Sequence, residues 1–516
     1  MPNLPDCGPD EWRSLLPGVA PLVRPARRAQ KGASSCSQGV DSALLQAYRV
    51  AIRRQVDRGV IPGFCCLALW RDRVLHVDAY GHADLERGTP FRTDSIVRLY
   101  CMSKTLVATG LMVLVDRGQC SLEDEVRNFI PSFADARVAA SEENSAPSPQ
   151  DLPAGDGMTL RRLLTHTAGL GYGKEFNLPP ESPAERSYLA LVNRADRGEV
   201  PSLAAFCDEM AALPLRHRPG ARFEYSYGLD VISRVIEVVS GQALEQFMEE
   251  SLFAPLGMRD TGFYVPAEKL PRLAALYGSH DTATWLGEAS STRPAPKIPS
   301  ELVRLDGQTP SESRWAKPNV GPVIAGGGMM GHNGGGLVST LNDQARFFLM
   351  VARGGQLSPE GPRILRPETA RQMVEHDWLA EPSVLGSAQD VADYPGGYLP
   401  GVTAKGRFGW NALGELGVDA AADVKSGAYQ LGEYGYGGIA ETFWSIDPSR
   451  ELVLLWFTQQ VDNFSWNTPR ANLWTAARRA VGSVSGLRDP PAGCAGERAP
   501  AGGAAAGLPA EGSERA

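Results

Sequence analysis

No run in this sequence reaches the roughly 18–20 apolar residues that a membrane-spanning helix needs. The longest candidate, 106–115, is interrupted by Thr109 and Gly110 and suits a helix buried in a globular core. Basic blocks are also missing. With 51 Lys and Arg against 59 Asp and Glu the net charge is −8, so a nucleic-acid-binding surface is not expected. The 8 cysteines are scattered and form no C-x-x-C pair; neither a zinc ribbon nor a thioredoxin-type motif is supported, and reduced thiols are expected. The first residues lack the charged-then-apolar pattern of a secretory signal. The stretch 13–31 is basic, yet Pro17, Pro21 and Pro25 would break an amphipathic transit helix. A cytoplasmic protein is therefore expected, with an organelle address as the alternative.

Some chemical signatures are absent too. There is no G-x-S-x-G, which removes the α/β-hydrolase elbow. The string at 326–331 fits G-x-G-x-x-G, but His332-Asn333 and three further glycines follow it instead of a helix, so the dinucleotide reading fails. His332 has no neighbour at metal-ligand spacing. Neither a metal nor an organic cofactor is expected.

Apolar residues make up 43% and charged residues 21%, an ordinary globular balance that excludes wholesale disorder. Residues 1–40 and the Ala-, Gly- and Pro-dominated 484–516 read as tails. Between them, 42–58 has the pattern of an amphipathic helix stopped at Gly59. Apolar, β-rich runs at 63–70 and 74–80 predict a hairpin, and those at 441–446 and 452–458 predict another, followed by a helix at 469–481. The middle reads as mostly helical: 105–116 buried all round and stopped at Gly118, 160–166 capped by Thr159, a face from Val231 to Val239 ending at Gly241, and 243–252. Polar, Pro-rich stretches at 142–157 and 282–318 read as loops or lids. The expected architecture is α/β: an antiparallel sheet built from the chain's two ends (41–100 and 330–483), flanked by helices, with a mostly helical lobe (101–329) between.

The informative run is Tyr100-Cys101-Met102-Ser103-Lys104, at the start of the buried helix. Residues three apart share a helical face, so Cys101 and Lys104 can point into one pocket while Ser103 faces elsewhere. A helix N-terminus and a nearby ammonium both favour a thiolate, which makes Cys101 a candidate nucleophile. The competing reading is a small buried residue beside a partly solvated lysine.

The run resembles the S-x-x-K motif of class C β-lactamases, penicillin-binding proteins and family VIII carboxylesterases, with the esterases nearest. Further strings fit the same family in order: 158–170 around Leu164-Thr165-His166-Thr167, 219–226 ending in Tyr225-Ser226, 255–261, 334–340, and Gly435-Tyr436-Gly437-Gly438. The resemblance spans about 42–482 and implies the class C β-lactamase fold. It places the nucleophile on Cys101 in place of serine, the proton-accepting lysine on Lys104, and the general-base tyrosine on Tyr225. Tyr227 falls where the family has Asn. Tyr436, Gly437 and Gly438 fall on the K-T-G element and would line the substrate site. The backbone N–H groups of Cys101 and Ile439 would form the oxyanion hole. His166 is expected to be structural.

Replacing the K-T-G lysine by Tyr436 removes a cation that would grip a carboxylate, and replacing Asn by Tyr227 removes an amide donor. Both point from β-lactams towards small uncharged esters. The resemblance thus implies a carboxylesterase-like acyl hydrolase working through an acyl-enzyme on Cys101. The alternatives are a catalytically silent fold-mate that binds or regulates, and a β-lactamase or D-Ala-D-Ala peptidase.

Overall fold

The computed structural model describes residues 42–71, 73–139, 157–172, 183–196, 198–278, 302–306, 336–381, 383–384, 408–418, 429–461 and 469–481, with short strands at 20–21 and 152–153. Its centre is a nine-stranded sheet. The strands are β1 (Ala20–Pro21), β2 (Gly63–Trp70), β3 (Arg73–Asp84), β4 (Thr89–Pro90), β5 (Phe408–Trp410), β6 (Glu415–Gly417), β7 (Tyr434–Gly438), β8 (Thr442–Asp447) and β9 (Leu452–Phe457). They run in the order β1-β3-β2-β9-β8-β7-β6-β5, with β4 paired to β3. Only the two-residue β1, inside the stretch read as a tail, pairs in parallel; the other pairings in the sheet are antiparallel.

The hairpins from the two chain ends meet at β2 and β9, where Leu67 faces Leu455 and Cys66 faces Trp456. Every residue of β2 and of β9 is buried, as expected of strands covered on both faces. Alternation splits β2 between two cores. Phe64, Cys66 and Ala68 pack with Leu454 and Trp456 under two helices, α1 (Ser42–Asp57) and the C-terminal Pro469–Val481. Leu45, Tyr48 and Ile52 of α1 enter that core at helical spacing. Cys65, Leu67 and Leu69 face the larger core on the other side.

That larger core surrounds α2 (Ser103–Asp116), which is buried from Ser103 to Leu114. No polar stripe was encoded, so no face is left for water. Gly118, at φ 70°, ends it. The helix α3 (Gly228–Ser240) buries Val231, Ile232, Val235 and Ile236 and stops at Gly241, also left-handed. Next, the expected helix at 243–252 is present only as Leu244–Met248. It widens into a π-turn at Glu249–Phe253 before Ala254–Leu256. Pro255 offers no N–H to an α-helical ladder, which accounts for the break.

Most of 142–157 and 282–318 lies outside the described residues, but 302–306 does not follow the loop expectation. Val303–Arg304 pairs with Tyr277–Gly278. Asp306, its side chain covered, bridges Arg98 at 3.1 Å and Arg304 at 2.9 Å. Among the described residues no helix is long and apolar enough to cross a membrane. Cys65, Cys66, Cys101, Cys120 and Cys207 are not joined in disulfides.

Candidate active site

The strand end of β7 and the start of α2 are brought together by the segment Val97-Arg98-Leu99. The Leu99 N–H donates to the Leu337 carbonyl at 2.9 Å, and the Arg98 N–H donates to Gln459 Oε1 at 2.9 Å. Thr442 Oγ1 donates to the Leu99 carbonyl at 3.2 Å. A Cβ on Gly438 would lie 2.2 Å from that same oxygen, and one on Gly437 would lie 2.0 Å from the Phe443 ring. Gly438 therefore allows β7 to pass this close, and Gly437 leaves room for the Phe443 ring of β8. Ile439, just beyond, packs against Tyr100 with Leu276, Ala440 and Val461.

From there the chain turns sharply into the helix. Tyr100 has φ 49°, a left-handed conformation that an aromatic residue rarely adopts. Tyr100–Met102 form a 3-10 turn that runs into α2. The sequence placed this run at the start of the buried helix, but not as a separate 3-10 turn. The turn places Cys101 and Lys104, both buried, at the head of α2. Ser103 faces away: its Oγ accepts the Leu337 N–H at 2.9 Å, and a Cβ on Gly336 would lie 2.6 Å from it. It is a strut between α2 and the 336–339 segment.

Lys104 is only 4% exposed. Burial pulls its proton affinity below the usual lysine value, and Cys101 and Asp230 partly oppose that shift. Its Nζ lies 4.8 Å from the centre of the Tyr225 ring. Tyr225 in turn accepts a 2.6 Å hydrogen bond from the Tyr436 hydroxyl. The Tyr436 hydroxyl is held protonated, first by burial and then by the proximity of Cys101. Cys101, Lys104, Tyr225 and Tyr436 therefore form one buried group.

His166 packs its ring on Tyr225 at 4.4 Å. Its Nδ1 accepts the Ser226 N–H at 3.2 Å. Burial and then the Lys104 charge push its pKa well below the ordinary histidine value, so it sits as a neutral imidazole. That places it as packing beside Tyr225. Tyr227 precedes α3, stacks on Tyr172 at 4.7 Å and meets Phe206 edge-on. Tyr172 touches both it and Tyr225.

Sequence reasoning missed Tyr172, Asp230 and Trp410. The Trp410 indole N–H donates to the Leu164 carbonyl at 3.1 Å, and its ring meets Tyr436 and His166 edge-on at 5.5 and 5.3 Å. The strand β5 that carries it is three residues long, too short to show alternation. The Gly-rich run with His332 lies outside the described residues. Among the described residues, no group of three or more His, Cys, Asp or Glu is placed to hold a metal ion.

The arrangement can present a buried thiol to a carbonyl, with an amine and a phenol at hand for proton transfer. Comparison with known proteins bears on the family and the fold. Protein Rv1367c of Mycobacterium tuberculosis is 29% identical over 430 residues, covering 82% of this chain and 91% of that protein. Esterase EstB of Burkholderia gladioli is 30% identical over 231 residues, covering 45% of this chain and 52% of its own. Among solved structures, EstCE1, described as a hydrolase with promiscuous acyltransferase activity, superposes with a TM-score of 0.59 at 22% identity. It covers 85% of this chain and 99% of its own, and it shows the fold. A family profile described as Beta-lactamase matches residues 49–479. With most of its length matched by that profile, the chain belongs to the beta-lactamase family.

Proposed function

We propose that this protein is a carboxylesterase-like acyl hydrolase that acts on small uncharged esters through a thioester on Cys101. The carrying observation is the buried Cys101–Lys104–Tyr225 group. A buried lysine with lowered proton affinity can take the thiol proton as the neutral amine. The sulfur then attacks the ester carbonyl, and the N–H groups of Cys101 and Ile439 hold the oxyanion. The alkoxide leaves with the proton from the Lys104 ammonium. Water attacks the thioester, giving its proton to the Lys104–Tyr225 pair, and the released thiolate is reprotonated as the carboxylic acid departs.

Two further points favour an ester. The position that would carry a carboxylate-gripping lysine is Tyr436, whose hydroxyl is engaged by Tyr225. The relative from Burkholderia gladioli is named as an esterase. The test is to trap the intermediate: the protein is mixed briefly with nitrophenyl acetate, acid-quenched and weighed intact. One added acetyl group, mapped to the Cys101 peptide and absent from Cys101→Ala, is expected. An unmodified protein that nevertheless releases nitrophenol contradicts the covalent route.

A further inference from the structure

We infer that Tyr436 is a positioning residue for Tyr225: its hydroxyl donates to the Tyr225 oxygen and so leaves Tyr225's own proton and its second lone pair for the Cys101–Lys104 side of the site. The inference rests on the proposed reading of Tyr225 as a proton carrier. A phenol has one O–H to give and two sites at which to accept, and at 2.6 Å Tyr436 fills one of them.

Rotation of the ring is restricted by its neighbours, which sets where the remaining sites point. Lys104 Nζ stands over one part of it, the His166 ring tilts onto it at 4.4 Å, and Tyr172 meets it at 65°. Tyr436 is fixed as firmly. It is fully buried in β7, opposite Trp444, and touches Trp410 edge-on. A Cβ on Gly414 would lie 2.8 Å from the Tyr436 Cβ, so the turn leading into β6 also closes on it.

Charged and titratable groups face the pair from several elements. Lys104 and Cys101 face it from the head of α2, and neutral His166 from the turn after Leu160–Leu164. Asp230 of α3 acts on Lys104, and Glu415 and Tyr429 lie behind Tyr436. Burial, Cys101, Glu415 and Tyr429 favour the protonated form of Tyr436 and outweigh the Tyr225 hydrogen bond, which favours its ionised form, so Tyr436 keeps its proton to donate. A hydrogen bond donated to a phenol oxygen strengthens when that phenol ionises. Tyr436 therefore lowers the proton affinity of Tyr225 without adding a second cation beside Lys104.

The experiment uses protein labelled with 13C at the tyrosine Cζ, with the Tyr225 resonance identified by its loss in Tyr225→Phe. In Tyr436→Phe the Tyr225 resonance is expected to shift, and its titration to move up by about one pH unit, a tenfold rise in proton affinity. Tyr436→His keeps a donor and is expected to return the titration towards the wild type. If Tyr436→Phe does not fold, judged by near-ultraviolet circular dichroism, Tyr436→Leu takes its place. In ester hydrolysis, the rising limb of kcat against pH should move by the same amount; a purely structural role would lower kcat at all pH values alike. A Tyr225 resonance unmoved in both position and titration overturns the inference. A moved resonance with no ester turnover leaves the inference standing and removes the hydrolase reading; turnover with an unmoved resonance does the reverse.

Discussion

A lysine at 4% exposure, as Lys104 is, is costly to bury. Its folded-state proton affinity is lowered, chiefly by desolvation. Between the folded and unfolded pKa values the unfolded chain holds more protons, so this group makes stability rise with pH across that window, up to about 10.5. The same shift supplies the neutral amine that the proposed chemistry needs. Lys104→Met should therefore raise stability near neutral pH by roughly 1 kcal/mol, seen as a higher melting temperature, and flatten its rise with pH. Ester hydrolysis should be lost in the same variant. A drop in melting temperature at neutral pH would mean that the buried amine is a net structural asset. The Cys101–Lys104 spacing was legible because three residues on a helix share a face. The left-handed Tyr100 that aims them was not, since no residue type demands that conformation there.

At the level of elements, the site exists because the end of β7 lies against the segment that leads into α2. Gly438 makes that contact, with the Leu99 carbonyl where a side chain would be. Backbone cannot give way as a flexible side chain can. Gly438→Ala should therefore destabilise by about 1–3 kcal/mol, as overpacking does. It should also lower kcat at least tenfold by moving Ile439 relative to Cys101, with urea unfolding and initial rates as the two readouts. Unchanged rates with lowered stability would separate Ile439 from the chemistry. The long apolar runs that became β2, β8, β9 and α2 were readable because they bury on one or both sides. The three-residue β5 and β6 gave no periodic signal, and with them Trp410 was missed.

Over the whole molecule, the chain's two ends build one sheet, and helices from its middle bring Lys104 and Asp230 up to it. The architecture was legible from the two hairpins and the ordered motifs between them. Long-range ion pairs were not. Arg98 and Asp306 are 208 residues apart and lie in segments with no shared pattern, yet their contact holds 302–306 against the strand that leads to Cys101. The central claim is that this frame presents Cys101 as a nucleophile, and it can be tested by initial rates of short-chain nitrophenyl ester hydrolysis for wild type, Cys101→Ala and Cys101→Ser side by side. The account predicts turnover by the wild type and a loss of at least about a hundredfold in Cys101→Ala. Equal residual rates in all three proteins, or an inactive wild type beside an active Cys101→Ser, would contradict it.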